Sequence, residues 1–144
     1  MKIAVVGSGY VGLVAAACLA EMGNTIVCVD NDQKKIEGLK KGKLPIYEPG
    51  LDVLIERNVK EQRLSFTIDT ATAVKQSNII FIAVGTPPGE DGSADLQHVI
   101  SVARDIGKAM NDNKIVINKS TVPVGTAEHV KAEITKHTEY RVDV

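Results

Sequence analysis

The chain has 144 residues, enough to bury the core of one domain. Its 44% apolar and 24% charged residues are the balance of a folded globular protein, not of a disordered one. A net charge of −1 gives no electrostatic footprint for nucleic acid or an anionic membrane, and no apolar run has the length of a bilayer span or a secretory signal.

Ile3-Ala4-Val5-Val6 is an unbroken apolar run, the pattern of a parallel strand buried on both faces. Gly7-Ser8-Gly9-Tyr10-Val11-Gly12 follows at G-x-G-x-x-G spacing. In that pattern Gly7 makes the tight turn, Gly9 lets a pyrophosphate approach the backbone, and Gly12 lets the next helix close on the strand. That helix runs from Tyr10 or Val11 to Met22. Its free first-turn amides favour an anion, and Gly23-Asn24 ends it with a left-handed cap. Thr25 to Val29 is the second strand, with Asp30 at its tip, 21 residues after Gly9. A carboxylate there accepts hydrogen bonds from the two hydroxyls of an adenosine ribose and opposes a 2′-phosphate. The expected cofactor is therefore NAD, not NADP.

Asn31 or Asp32 caps a short helix that buries Ile36 and Leu39, and Lys35 stands within reach of the ribose or a phosphate unless it is simply solvated. Gly42 to Gly50 is a turn-rich loop. Leu51, Leu54, Ile55 and Val59 then form one apolar helical stripe, and Arg63 to Ile68 a short strand. Asp69 caps a short helix, and Asn78 to Val84 is a central strand running into Gly85-Thr86-Pro87-Pro88. Open parallel sheets bind ligands outside the carboxyl ends of their strands, at the switch in strand order. Val84, Gly85, Thr86 and Pro87 would thus lie beside the dinucleotide, unless the turn merely leads to a helix. After the exposed loop Gly89 to Ser93, Asp95 caps a helix burying Val99, Ala103, Ile106 and Met110. Lys114 to Asn118 is the fifth strand, and Lys119-Ser120-Thr121-Val122-Pro123 puts two hydroxyls at its tip. Thr126 caps the last helix, with Ala127, Val130, Ile134 and His137 on one face. Arg141 to Val144 opens a sixth strand and there the sequence stops, which reads as a fragment of a longer protein.

The expected fold is therefore α/β: a Rossmann-type, doubly wound parallel sheet with helices on both faces, a single domain over residues 1–144. Cys18 and Cys28 read as small buried hydrophobes, not as a disulfide or a nucleophile, and the cytoplasm is the expected compartment. His98, His129 and His137 sit on separate helices without metal-ligand spacing, so no metal site is expected.

The Tyr10-Val11-Gly12-Leu13 continuation of the glycine turn resembles the UDP-glucose and GDP-mannose dehydrogenase family. Four further motifs agree in order and spacing: Asp30-Asn31 with Lys35-Ile36; Pro45 to Leu51; Val84-Gly85-Thr86-Pro87 leading to Asp91 to Leu96; and Lys119 to Thr126. The resemblance covers the whole chain and points most to bacterial members that oxidise UDP-glucose. It implies a two-step, four-electron oxidation of the sugar's C6 alcohol to the acid, with two NAD⁺ reduced. A cysteine of the family traps the aldehyde as a thiohemiacetal, which becomes a thioester and is hydrolysed.

Carried over by position, Val11, Asp30, Lys35, Thr86 and Thr121 contact NAD, and Thr121 also helps hold a catalytic water. With the glycine-turn and strand-tip neighbours Gly7, Gly9, Tyr10, Gly12, Val84, Gly85, Pro87 and Ser120, they form the expected cofactor site. The family's catalytic glutamate, lysine, asparagine, cysteine and aspartate, its dimerising helix and its sugar-nucleotide domain match nothing in this chain. The fragment is accordingly expected to bind NAD and oxidise nothing, within a homodimeric or larger parent. A sister enzyme acting on GDP-mannose or a UDP-N-acetylhexosamine, and a stand-alone NAD-binding regulatory module, are the alternatives. Hydroxyacyl and phosphogluconate dehydrogenases share the glycine turn but lack the Lys119 to Pro123 set.

Overall fold

Ile3, Ala4, Val5 and Val6 are all buried, and they alternate between two hydrophobic cores. Ala4 and Val6 face one, Ile3 and Val5 the other, as a strand in the middle of a doubly covered sheet requires. The computed structural model describes residues 1–144. This first strand, β1 (Lys2–Val6), pairs in parallel with β2 (Thr25–Val29) and β4 (Ile79–Ile82). With β3 (Leu64–Thr67), β5 (Lys114–Asn118) and β6 (Val142–Asp143) they form one six-stranded sheet in the order 3-2-1-4-5-6. The order reverses between β1 and β4, so a crevice opens where the first-half and second-half connections diverge.

Three helices, α1 (Tyr10–Glu21), α2 (Gln33–Lys40) and α3 (Leu51–Lys60), supply Leu13, Ala16, Ala17, Ile36, Leu39 and Ile55 to one core. On the other face, α4 (Thr70–Gln76), α5 (Gln97–Ala109) and α6 (Thr126–Thr135) supply Val74, Val99, Ile106, Val130 and Ile134. The α1 C-terminus closes as expected: the Gly23 N–H donates to Ala20 and the Asn24 N–H to Leu19, with Gly23 at φ +97°. That is the paired 5→2 and 6→1 pattern of a Schellman cap. No helix is long and apolar enough to cross a membrane.

Several local expectations need correction. Cys18 is exposed, because it lies on the side of α1 turned from the sheet; only Cys28 is buried. Along α3, Val59 is exposed and Asn58 takes the buried place. Asn58 is tolerated there because its amide donates to Glu21 at 2.7 Å and to the Leu54 carbonyl, and its oxygen accepts from Arg63. Along α6, Ala127 and His137 are exposed, whereas Thr126 and Glu133 join Val130 and Ile134 in the buried face. Thr126 is the first helical residue, not the cap; the cap is Gly125 at φ +92°, and the Thr126 hydroxyl donates to the Pro123 carbonyl. Asp95 lies one residue before the α5 cap, Leu96, and its carboxylate accepts from the Gln97 N–H. Its own N–H is committed to the Pro87 carbonyl, which closes a small hairpin through the Pro88–Ala94 bridge.

Candidate functional site

The glycine turn is built by contacts that leave no room for side chains at two of its three positions. Gly7 adopts φ +116°, and a Cβ there would meet the Ala83 carbonyl oxygen at 2.2 Å. A Cβ on Gly12 would sit 1.9 Å from the Gly7 carbonyl oxygen, so α1 crosses β1 at backbone contact. Gly9 is different: it has φ −76°, which any residue adopts, and a Cβ on it would meet nothing within 4 Å. The space above Gly9 is open on the side where α1 starts. The Gly9 carbonyl accepts the first intrahelical bond, from Leu13, which leaves the amides of the first turn without helical partners. An unobstructed cradle at a helix N-terminus suits a phosphate group.

From this cradle a cleft of about 430 Å³ runs past the tips of β1, β2 and β4. It brings together Gly7, Gly9, Asp30, Lys35, Val84, Gly85 and Pro87 from the expected set. Asp30 is held by the turn itself. Its Oδ2 accepts from both the backbone N–H and the hydroxyl of Ser8, and its Oδ1 accepts from the Asp32 N–H at 2.9 Å. Burial alone would raise the Asp30 pKa. The Ser8 hydroxyl, the Asp32 and Ser8 amides and the charge of Lys35 outweigh it and hold the carboxyl below its ordinary range. A carboxylate has about four acceptor sites, so Oδ1 keeps capacity for an incoming hydroxyl.

The remaining expected residues lie around the cleft. Gly12 is buried behind the turn, while Tyr10 and Val11 are exposed on the first turn of α1. The Tyr10 hydroxyl donates to Glu48 at 2.9 Å, which ties α1 to the loop after α2. At the β4 and β5 tips, the Thr86 hydroxyl donates to the Thr121 carbonyl at 2.7 Å and the Ser120 hydroxyl to the Val84 carbonyl at 2.8 Å. These two bonds lock the strand-tip loops to each other and leave the Thr121 side chain exposed.

Two groups of cleft residues escaped the sequence reading. Ser8 is fully buried and orients Asp30, a role that its x position in G-x-G conceals. Thr70 at the start of α4, and His98, Ser101 and Asp105 on α5, also line the cleft. Their three- and four-residue spacing was legible, but only the crossover places that helix face against the β2 tip. No group of three His, Cys, Asp or Glu side chains is placed to hold a metal ion.

A doubly wound parallel sheet with a glycine cradle, an open helix N-terminus and a fixed carboxylate at the second strand tip defines a dinucleotide-binding domain of the dehydrogenase type. The chain belongs to the UDP-glucose/GDP-mannose dehydrogenase family: the sequence model of that family's NAD binding domain matches residues 1–144. The chain is 53% identical over 140 residues to UDP-glucose 6-dehydrogenase TuaD of Bacillus subtilis, an alignment covering 97% of this chain and 30% of that protein. Among solved structures, a UDP-glucose dehydrogenase from Pyrobaculum islandicum superposes with a TM-score of 0.94 at 39% identity, over 97% of this chain and 34% of its own. A GDP-mannose dehydrogenase from Pseudomonas aeruginosa gives 0.93 at 38% identity, over 98% and 33%. The chain thus spans about a third of the length of the relatives it matches, and its cofactor is NAD.

Proposed function

We propose that these residues are the cofactor-holding third of an NAD-dependent UDP-glucose 6-dehydrogenase, which converts UDP-glucose to UDP-glucuronate. The open space above Gly9, continuous with a carboxylate held ready at Asp30, carries this reading. In it, the first-turn amides of α1 at Tyr10, Val11 and Gly12 take the pyrophosphate, with Gly7 and Gly9 shaping the cradle. Asp30 accepts from the adenosine ribose, and Lys35 offers its charge to the same ribose or to a phosphate. Val84, Gly85, Thr86 and Pro87 flank the nicotinamide half. Ser120 braces the β4 tip through Val84, so that Thr121 can contact the nicotinamide side and help hold a catalytic water. NAD supplies the hydride acceptor; this chain's own residues bind it, orient it and fix the acid beside it.

The UDP-glucose assignment rests on the 53% identity to a UDP-glucose 6-dehydrogenase. Sugar binding, the nucleophilic cysteine and homo-oligomeric assembly belong to the complete dehydrogenase in this reading. The exposed, unpaired Cys18 suits a reducing compartment, which favours the cytoplasm. The experiment is a calorimetric titration of the 144-residue chain with NAD, followed by an assay of NADH formation with UDP-glucose. Saturable NAD binding with no turnover is expected. Absence of binding refutes the cofactor reading, and NADH formation above background refutes the claim that catalysis needs the rest of the parent.

A further inference from the structure

The middle of β5 reads Ile115-Val116-Ile117, the continuous apolar run of a parallel strand covered on both faces. Only one face is covered. Val116 is 1% exposed in the core shared with α5 and α6, whereas Ile115 and Ile117, pointing the other way, are 47% and 36% exposed. Ile79 and Phe81 of β4 stand beside them in register and are only half-buried. On this face α1, α2 and α3 cover the β1 to β3 half of the sheet, and no helix covers Ile115 and Ile117. One side of α1 walls the gap. Val11, Ala15 and Leu19, with the cap residue Met22, recur at helical spacing toward the side where Gly12 abuts Ala83 at the β4 tip. Glu21, the only charged residue of α1, points away, to Arg57 of α3 at 2.7 Å. A helix that is apolar around most of its circumference belongs in an interior.

We propose that this trough, between α1 and the bare half of the sheet, seats an amphipathic helix from the other two thirds of the parent dehydrogenase. The inference rests on the parent reading above for the existence of that chain: these residues span 30% of TuaD and 34% of the Pyrobaculum islandicum enzyme. Geometry selects a helix. From β4 across β5 to β6 the floor is about 10 Å wide, the diameter of one helix with its side chains. Helices are also what cover the faces of parallel sheets. Charge selects an apolar contact stripe. Asp143, in register with Ile115, is already paired with Arg141 at 2.8 Å, so it asks for no cation from the occupant. Linkage selects the same polypeptide over a second copy. A tethered segment acts at an effective concentration on the order of millimolar, which an independent molecule does not match.

The test places a thiol on the floor of the trough. Ile117→Cys is combined with Cys18→Ser in the 144-residue chain, and in a fusion where this chain replaces the matching part of TuaD. Labelling by N-ethylmaleimide is followed at position 117 by mass spectrometry. The isolated chain, monomeric by sedimentation, should label as an exposed thiol does, and the folded fusion roughly a hundredfold more slowly. Ile117→Lys gives a second readout. The isolated chain should melt within about 2 °C of wild type, because that side chain already meets water, while the fusion should lose on the order of 10 °C from a lysine buried without a partner. Equal labelling in the isolated chain and the folded fusion overturns the proposal. So does protection already present in a self-associated isolated chain, which makes a second copy the occupant. The Pyrobaculum islandicum enzyme serves as a second host, and failure of both fusions to fold also overturns the proposal. Titration of the isolated chain with NAD reports on the cofactor reading separately, whatever the thiol shows.

Discussion

A methyl group at position 12 would lie 1.9 Å from the Gly7 carbonyl oxygen, whereas one at position 9 would touch nothing within 4 Å. The two glycines share a motif but serve different ends. Gly12→Ala forces α1 off β1 and is expected to cost on the order of 3 kcal/mol of stability, read as a shifted denaturation midpoint. Gly9→Ala should leave the fold within about 0.5 kcal/mol of wild type and weaken NAD by tenfold or more, because its methyl group enters the phosphate cradle. Equal effects of the two on stability would sink this division. The cysteines divide in a similar way. Burial and, less strongly, the nearby Asp30 charge push the Cys28 thiol up to about 12, while Cys18 is exposed. Ellman's reagent should titrate one thiol in the native chain and two after unfolding, and Cys18→Ser should abolish the native one. The sequence showed that both cysteines lie in apolar stretches. It did not show that α1, whose only charged residue is Glu21, turns an apolar face outward at Val11, Cys18 and Met22.

Helix–helix contacts were the least legible elements, because partners far along the chain decide which side of a weakly patterned helix is covered. On α6 the alternation of Ala127, Val130, Ile134 and His137 fitted a stripe, yet the buried position between them is Glu133. That carboxylate receives Arg104 of α5 at 3.1 Å, Lys136 at 3.1 Å and the His137 ring at 3.5 Å. Gly107 of α5 lies so close that a Cβ on it would meet the Ile134 carbonyl oxygen at 2.7 Å. A small residue and a shared carboxylate thus fasten α5 to α6, and so fix the helix whose other face lines the cleft. Gly107→Ala should lower stability by roughly 1–3 kcal/mol. The Lys136 and Arg104 hydrogen bonds lead in holding the Glu133 pKa below its ordinary value. A depressed folded-state pKa adds stability above the unfolded value, lost as pH falls through the folded one. Glu133→Gln should therefore melt below wild type at neutral pH, with the gap closing as pH drops below about 4. A gap that is constant from pH 7 to pH 3 would show that Glu133 acts through packing alone.

At the scale of the whole molecule, the strand order was legible because each parallel strand declares itself as a buried apolar run and right-handed crossovers leave few ways to arrange them. The cleft was half legible for the same reason: motifs at the tips of β1, β2, β4 and β5 must share one edge of the sheet. The α5 wall was not, since nothing in its sequence says which face turns to the β2 tip. The cleft is lined from both halves of the sheet, so in the proposed binding mode one molecule bridges them, touching the α1 turn and β2 tip on one side and the β4 tip on the other. Such a ligand stabilises the native state without binding the unfolded chain, by about 2.7 kcal/mol at a hundredfold excess over its dissociation constant. NAD at that level should raise the melting temperature by on the order of 10 °C. NADP should do much less at equal concentration. In the proposed binding mode Asp30 faces the position of the 2′-phosphate, and three hydrogen bonds keep that carboxylate in place and charged. Because its folded pKa is depressed, the selectivity should hold from neutral pH down through the ordinary carboxylate range. It should fade only once the pH falls through the lowered value. Asp30→Asn removes the repulsion while keeping the shape, and should narrow the difference between the two thermal shifts by weakening NAD and relieving NADP. Equal shifts from NAD and NADP in the wild-type chain would mean that the Asp30 carboxylate does not face the ribose, and the placement of adenosine along this edge would have to be redrawn.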